Sequence, residues 1–383
     1  MATYDCDAPA RSIVAVGGGD ATMFAVGTQR LRGGNDVHIV THDRDRDGAR
    51  CTAVLSHPDG EIWSMDARPA EAGSNDAARA DILATAFDGG SRAGGVSIWR
   101  LPASLDAGST PTRGELTRVA STPSSTSGKD ESEDALSNPR CVRWSTADPS
   151  TLAVVGDTFV SIARVDASAG TDVTLTTRGS LPEGSVVGSH CSFHPDEPEV
   201  VAVGVDTAVS VYDARSGLHR ASQTIQNAHA LQVRSVEYNP KRGGVTCATC
   251  GDDGVVRIWD TRSHSRPVGE MAPGHAHWAW CATYNPEYDQ LIASSGGDQC
   301  VRLWVDAGNS SSAESGGGKG GGNNTAVQKT HSCVSVYDGC HADTVYGVAW
   351  GRGDDPWTFA SVSYDGRVAI EKVPRAEKYR ILL

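Results

Sequence analysis

Residues 227–262 read NAHALQVRSVEYNPKRGGVTCATCGDDGVVRIWDTR, with a histidine near the start and a Trp-Asp pair near the end. His229 is followed after 20 residues by Thr249, after four more by Asp253 and after a further six by Trp259. The cadence returns at His275, Ser294, Asp298 and Trp304, with steps of 19, four and six. A third copy, His341, Ser361 and Asp365, has steps of 20 and four, but Glu371 stands where the tryptophan would fall. Recurrence at this length marks a repeat architecture, in which each unit covers its apolar face with its neighbour.

The four positions and the closing Trp-Asp pair resemble a blade of the WD40 β-propeller. The resemblance implies a hydrogen-bonded chain from Asp through His and hydroxyl to indole, bracing the strands of each blade. Breaking one link strands a buried polar partner, at about 1–3 kcal/mol. Asp253, Asp298 and Asp365 are therefore expected to be structural. A His/Asp/Ser trio could also resemble a hydrolase triad, but recurrence in three units speaks for scaffolding, and no catalytic residue is assigned.

Outward from these units, short β-rich runs alternate with Gly, Asp and Asn turns, and no convincing amphipathic helix interrupts them. Seven four-stranded units follow. The first spans about 12–57, the second runs from 61 to about 120, the third covers roughly 139–182, and the fourth ends near 226. The last three start near 227, 274 and 340. The expected fold is all-β, a single seven-bladed WD40 propeller over 1–383. Units three and four keep Asp157 and Asp206 in the turn but carry Ala163 and Tyr212 in place of tryptophan, so they should be the softer part of the ring. Either the N-terminal segment or the tail could complete the seventh unit.

Two segments, 103–138 and 306–326, are rich in Ser, Gly and charge and should be disordered surface loops, because they cannot bury enough apolar surface to offset chain ordering. The spacing agrees: His229 to His275 is 46 residues and His275 to His341 is 66, an excess of 20 that matches the glycine-rich insert. A shorter insert occupies 67–81.

The formal charge of −13 argues against bulk binding to nucleic acid or anionic lipid. No apolar run approaches the roughly 18 residues that cross a bilayer, and the start MATYDCDAPARS lacks the pattern of a secretory signal. A cytosolic protein is expected, one that works at membranes only through partners. Its ten cysteines should then be reduced and act as small apolar side chains. Cys247 and Cys250 form a CxxC, but inside a strand they point to opposite faces and cannot share one zinc. No metal or cofactor is expected.

Other motifs have plainer readings. Asp43-Arg44-Asp45-Arg46-Asp47-Gly48 matches the start of a calcium loop, but the twelfth position is Val54, and a solvated loop fits better. GGGKGGG at 316–322 lacks the Ser/Thr, strand and helix of a phosphate loop. Trp259-Asp260-Thr261-Arg262 resembles the box by which some WD40 proteins dock on cullin-type ubiquitin ligases, although an Arg here also caps the turn. Trp63, Trp278, Trp280, Tyr346 and Tyr364 fall at starts of inner strands or in tight turns of one face, where rigid aromatic residues can anchor a partner.

The chain ends resemble one family in particular. The stretch from His341 to Leu383 contains DPW (355–357), SYDGR (363–367) and the terminal VPRAEKYRILL. With HPDGEIW (57–63), NAHALQVR (227–234) and HWAWCATYN (277–285), it is similar to the EARP and GARP complex-interacting proteins. The similarity covers nearly everything except the two long inserts. What it implies is a non-enzymatic adaptor for tethering complexes, peripherally associated with endosomes and the trans-Golgi network, acting in endosomal recycling and endosome-to-Golgi retrograde transport. Trp63, Asp252, Trp278, Tyr346, Tyr364, Arg375, Lys378 and Arg380 are the candidate partner contacts. The tail, with Tyr379 among its exposed-looking residues, could instead supply a closing strand or pack beneath the ring.

Overall fold

The computed structural model describes residues 1–17, 21–43, 48–69, 80–89, 94–102, 111–122, 138–165, 174–181, 188–306, 331–353 and 355–383. Its strands form seven sheets, and the inner strands pack on one another in sequence and back to the first, closing a ring. The fold is an all-β seven-bladed propeller.

Blade five shows how sequence becomes blade. Val233–Tyr238 lies innermost, followed outward by Thr246–Gly251, Val256–Asp260 and Gly269–Met271. The second strand is buried along almost its whole length because neighbouring blades cover both of its faces. The turn after it requires positive φ at Gly254 (75°), where a β-carbon would press on the His275 carbonyl. In blade six Gln299 takes the same left-handed turn (φ 65°).

Among the described residues, seven apolar clusters fill the seven seams between blades. Trp259 packs with Val209 and Val211 of blade four, and Trp304 with Ile258 and Met271 of blade five. Each of these two tryptophans thus seals the seam behind its blade, a burial whose loss in a Trp→Ala change costs about 3–5 kcal/mol. Cys247 and Cys250 belong to the seams on opposite sides of blade five, and all ten cysteines are free.

The ring closes through the N-terminus. Ala2–Asp5 pairs antiparallel with Arg367–Lys372 as the outer strand of blade seven, with Ala2 opposite Ile370 and Asp5 opposite Arg367. The tail therefore supplies no strand. It forms the helix Arg375–Leu382, as its run of Arg, Ala, Glu and Lys favours once Pro374 has ended the sheet. Ile381 packs on the seam between blades six and seven.

The segment given above to a loop over 103–138 is also partly ordered. Thr117–Ser121 is the outer strand of blade two, and Thr112–Glu115 adds a parallel fifth strand to blade one. Composition hid this because its anchors are few: Leu116 is buried against Leu55 and Leu101, and Ala120 against blade three. Residues 103–110, 123–137 and 307–330 lie outside the described residues, as do 70–79 of the short insert and 44–47 of the calcium-like run.

Candidate functional site

Each inner strand begins with a β-bulge, and the residue it leaves unpaired is Arg11, Trp63, Arg140, Ser189, Arg234, Trp280 or Tyr346, one per blade. A bulge re-aims a side chain out of the regular pleat. All seven line one cavity of about 290 Å³ on the ring axis, at the end that carries the turns between second and third strands. Three cations and three rings share this mouth with Ser189. Arg11 lies over Trp63 (4.5 Å) and Tyr346 (4.5 Å), Arg140 over Trp63 (4.3 Å), and Arg234 over Trp280 (4.5 Å).

Two of these arginines have carboxylate partners. Arg140 grips Asp157 through Nε (2.7 Å) and Nη2 (3.2 Å), and Arg234 grips Asp252 the same way (2.6 and 2.7 Å). The pairings are equivalent, since Gly156 and Gly251, opposite Pro139 and Val233, immediately precede the two aspartates. Asp157, and likewise Asp206 after Val205 opposite Gly188, is thus the counterpart of Asp252 and not of the bracing Asp253, a correction to the alignment made from spacing alone. The blade-three turn is shorter by a residue, and spacing could not register that. In blade seven Tyr364 holds this position, its ring 6.1 Å from Tyr346.

The aromatic candidates form a continuous path. Trp278 meets Trp280 edge-on (5.9 Å), and Trp280 meets Tyr346 (4.8 Å), which leads to Tyr364. Trp278 and Tyr364 are 41% and 38% exposed at the rim, whereas Trp63, Trp280 and Tyr346 are partly buried inside it. Asp252 is committed to Arg234. The other candidates lie elsewhere: Arg375, Lys378 and Arg380 sit on the terminal helix, at the opposite end of blade seven. There Lys378 lies over Trp357 (5.1 Å), which stacks on Tyr288 (4.2 Å), and Arg380 pairs with Glu377 (2.6 Å). The candidates are two groups and not one site.

Sequence reading missed Arg11, Arg140 and Arg234. The signal was available: RSIVAV, RCVRW and RSVEY each place arginine where the other inner strands place Trp, Tyr or Ser.

Deeper on the axis, Arg143 Nη2 meets His190 Nε2 (2.7 Å), while His190 Nδ1 meets the Val236 carbonyl (3.1 Å). Burial, with Arg143 beside it, pushes His190 down to about 3 and keeps it neutral. Burial pushes Glu237 up to about 7, although Arg143 and a hydrogen bond from Thr283 oppose this. These groups divide the mouth from a second axial cavity of about 270 Å³.

Two blades contain a complete chain of hydrogen bonds from Asp to Trp. His229 joins Asp253 and Thr249 (both 2.8 Å), and Trp259 Nε1 donates to Thr249 (3.0 Å). His275 joins Asp298 and Ser294 (both 2.8 Å), and Trp304 donates to Ser294 (2.8 Å). Blade seven is incomplete. His341 Nε2 meets Ser361 (2.8 Å), but its Nδ1 has no partner among the described residues, and Glu371 accepts from Cys340 Sγ (3.3 Å). Blade two has an unforeseen chain, with His57 joined to Thr85 (3.0 Å) and Trp99 donating to Thr85 (2.9 Å). Its insert and long turn stretch the steps to 28 and 14, outside the cadence.

Arg262 turns back on Asp260 through Nε (2.9 Å) and Nη2 (2.7 Å), and its backbone N–H binds the same carboxylate. The Trp-Asp-x-Arg element is therefore engaged in its own turn. Among the described residues no group of His, Cys, Asp and Glu is arranged to hold a metal, and no helix is long and apolar enough to cross a membrane.

A seven-bladed ring braced by His–Asp–Ser/Thr–Trp chains, with an arginine–aromatic mouth, defines a WD40-type propeller. The chain belongs to the EIPR1 beta-propeller family, whose pattern it matches over residues 1–304. It is 32% identical over 381 residues to EARP and GARP complex-interacting protein 1 of Rattus norvegicus, covering 95% of this chain and 94% of that protein. The Homo sapiens protein of the same name is also 32% identical, over 383 residues with the same coverage. WD repeat-containing protein DWA2 of Arabidopsis thaliana is 29% identical over 355 residues, covering 92% and 91% of the two chains. The mammalian relatives carry the name of complex-interacting proteins and not of enzymes.

Proposed function

We propose that this chain is a non-catalytic adaptor that binds tethering complexes of the EARP and GARP type and supports endosomal recycling and endosome-to-Golgi retrograde transport. The observation that carries this reading is the similarity, along 95% of the chain, to relatives whose name states that interaction. A rigid ring with an aromatic rim suits the task, because Trp and Tyr on a fixed scaffold lose little entropy when a partner covers them. In this reading the protein is cytosolic and reaches endosomes and the trans-Golgi network through its partners, as its acidic surface disfavours direct adhesion to anionic lipid.

Affinity purification of the tagged full chain tests the proposal. Tether subunits should dominate the co-purifying proteins, and alanine at Asp260 and Arg262 should leave them bound. A cullin adaptor in their place, lost with those two substitutions, would replace this reading by that of a ubiquitin-ligase substrate receptor.

A further inference from the structure

Among the described residues, the mouth of the ring holds a cation with no ion-pair partner, on which Glu61 acts only from a distance. Of its arginines, Arg140 and Arg234 are neutralised by Asp157 and Asp252, and Arg143 faces His190 with Asp66 and Glu237 below. Arg11 forms no hydrogen bond or ion pair with any described residue. Rings pack on it from three sides, Trp63, Trp280 and Tyr346, at 4.5 to 5.3 Å. Ring faces satisfy the charge in part but leave the N–H fork of the guanidinium without acceptors. Three more groups at the same mouth share this state: Trp63 Nε1, Trp280 Nε1 and Gln232 Nε2 are buried and unpartnered among the described residues. All three are donors. Burial pushes Arg11 down to about 10, opposed by Tyr346 and Glu61 and helped by the repulsion of Arg234 and Arg140, so it remains charged at neutral pH. A cavity whose unmet groups among the described residues are all donors, around a positive charge without an ion-pair partner, is complementary to an acceptor carrying one negative charge.

We infer that the mouth binds an acidic peptide segment of a protein partner, with one Asp or Glu carboxylate of that segment accepting a forked pair of hydrogen bonds from Arg11. This deepens the adaptor reading and rests on it for the nature of the partner. Charge and wall chemistry select the ligand. Among the described residues one cation of the mouth lacks an ion-pair partner, which matches a monoanion, whereas a phosphate would bring up to two charges towards Asp157 and Asp252. The walls of Trp63, Met65, Trp280 and Val348 suit apolar flanking side chains better than an inositol ring. The exposed Trp278 and Tyr364 extend that surface outwards.

The test selects phage-displayed random linear peptides on the purified full chain and measures the best binder by fluorescence anisotropy. The expected consensus has a fixed Asp or Glu between apolar residues. Replacing that acid by its amide should weaken binding about thirtyfold or more, and Arg11→Gln should do the same to the acidic peptide. The amide peptide should then lose nothing further on the Arg11→Gln protein, since the two changes remove one interaction. Arg11→Gln should melt no lower than the parent, because it removes a buried charge that has no ion-pair partner among the described residues. If it fails to fold, Arg11→Lys, which keeps the charge but loses the fork, serves in the same cycle. A consensus without an acidic position, binding to Arg11→Gln within about twofold of the parent, or stronger binding of the phosphoserine form of the peptide would each overturn the assignment. If the acidic peptide binds while no tether subunit co-purifies, the site stands and the adaptor's named partners fall.

Discussion

Where blades five and six bury the indoles of Trp259 and Trp304, blade three buries the methyl of Ala163. The register makes the positions equivalent: Trp259 lies opposite Cys247, Trp304 opposite Ile292 and Ala163 opposite Leu152. The hydroxyls of Thr249 and Ser294 become Val154, and the carboxylates of Asp253 and Asp298 become the exposed Thr158. Blade three fills its seam with Trp144, Leu152 and Phe159 instead. One backbone thus carries two kinds of bracing. The polar chain is directional and fixes the loop against the strands, but each member depends on the others. The hydrocarbon filling has no such dependence, although Trp144 Nε1 is left without an acceptor among the described residues.

The largest expected difference comes from removing the carboxylate. Asp253 accepts from His229 Nδ1 (2.8 Å), Ala230 N (3.1 Å) and Arg257 Nη1 (2.7 Å). Asp253→Ala strands these donors together and should lower stability by roughly 2–4 kcal/mol, read as a fall of several degrees in melting temperature. Thr158→Ala, the same excision in blade three, should stay within about 0.5 kcal/mol. Unchanged melting of Asp253→Ala would remove the bracing role of the chain.

Reciprocal exchange at the hydroxyl position is the next largest effect. Thr249→Val keeps the shape but leaves His229 Nε2 and Trp259 Nε1 unbonded, while Val154→Thr buries a hydroxyl among Ile98, Trp144 and Ala163. Each should cost about 1–3 kcal/mol in chemical denaturation, although the two changes are chemical opposites. A neutral Val154→Thr would mean that blade three could accept a polar chain, and that the two kinds of bracing differ only in sequence.

How much of this was legible follows from the same residues. The cadence from His229 to Trp259 exposed blades five, six and seven because their loops are short and equal. It missed His57, Thr85 and Trp99, whose histidine–hydroxyl–indole links are separated by an insert. It misassigned Asp157, because a one-residue change in turn length slides one aspartate into the place of another. The mouth was half visible. Aromatic residues drew notice singly, but that Arg11, Arg140 and Arg234 share the bulge position appears only when the inner strands are placed in register. Closure by Ala2–Asp5 was undecidable from sequence, since a four-residue strand carries too little pattern to compete with the tail.

Acid should separate the two kinds of bracing further. Burial pushes His341 down to about 4 from an ordinary value of 6.5, and lowers His57 and His275 in the same direction. With the folded value depressed, the unfolded chain takes up protons first, so this stability is full above about 6.5 and is lost as pH falls towards 4. Burial raises the Asp253 and Asp298 carboxyls, but hydrogen bonds from His229 and His275 outweigh it and hold both well below the usual range. Their contribution fades only in stronger acid. Glu237, raised to about 7, acts with the opposite sign, yet it is one group against several. Melting temperature should therefore fall between about pH 7 and about pH 4.5. Hydrogen exchange should quicken in Phe359–Val362 of blade seven before Leu152–Val155, because blade three contains no histidine. Simultaneous quickening of both would mean that the blades share one cooperative acid transition.

The smallest effect is the sharpest test of what the chain itself contributes. Asp365 in blade seven accepts from Ala342 N (2.7 Å) and Arg367 N (2.8 Å), as its counterparts accept from loop amides, but His341 does not reach it. Blade seven therefore separates two things that blade five combines, the capping of backbone amides and the link to the histidine. Asp365→Ala should remove only the first, about 0.5–1.5 kcal/mol, a smaller loss than that expected from Asp253→Ala in the same denaturation assay. An equal loss would place the weight of every such aspartate in its backbone contacts. Histidine, hydroxyl and indole would then be space-filling in blades five and six, as hydrocarbon is in blade three.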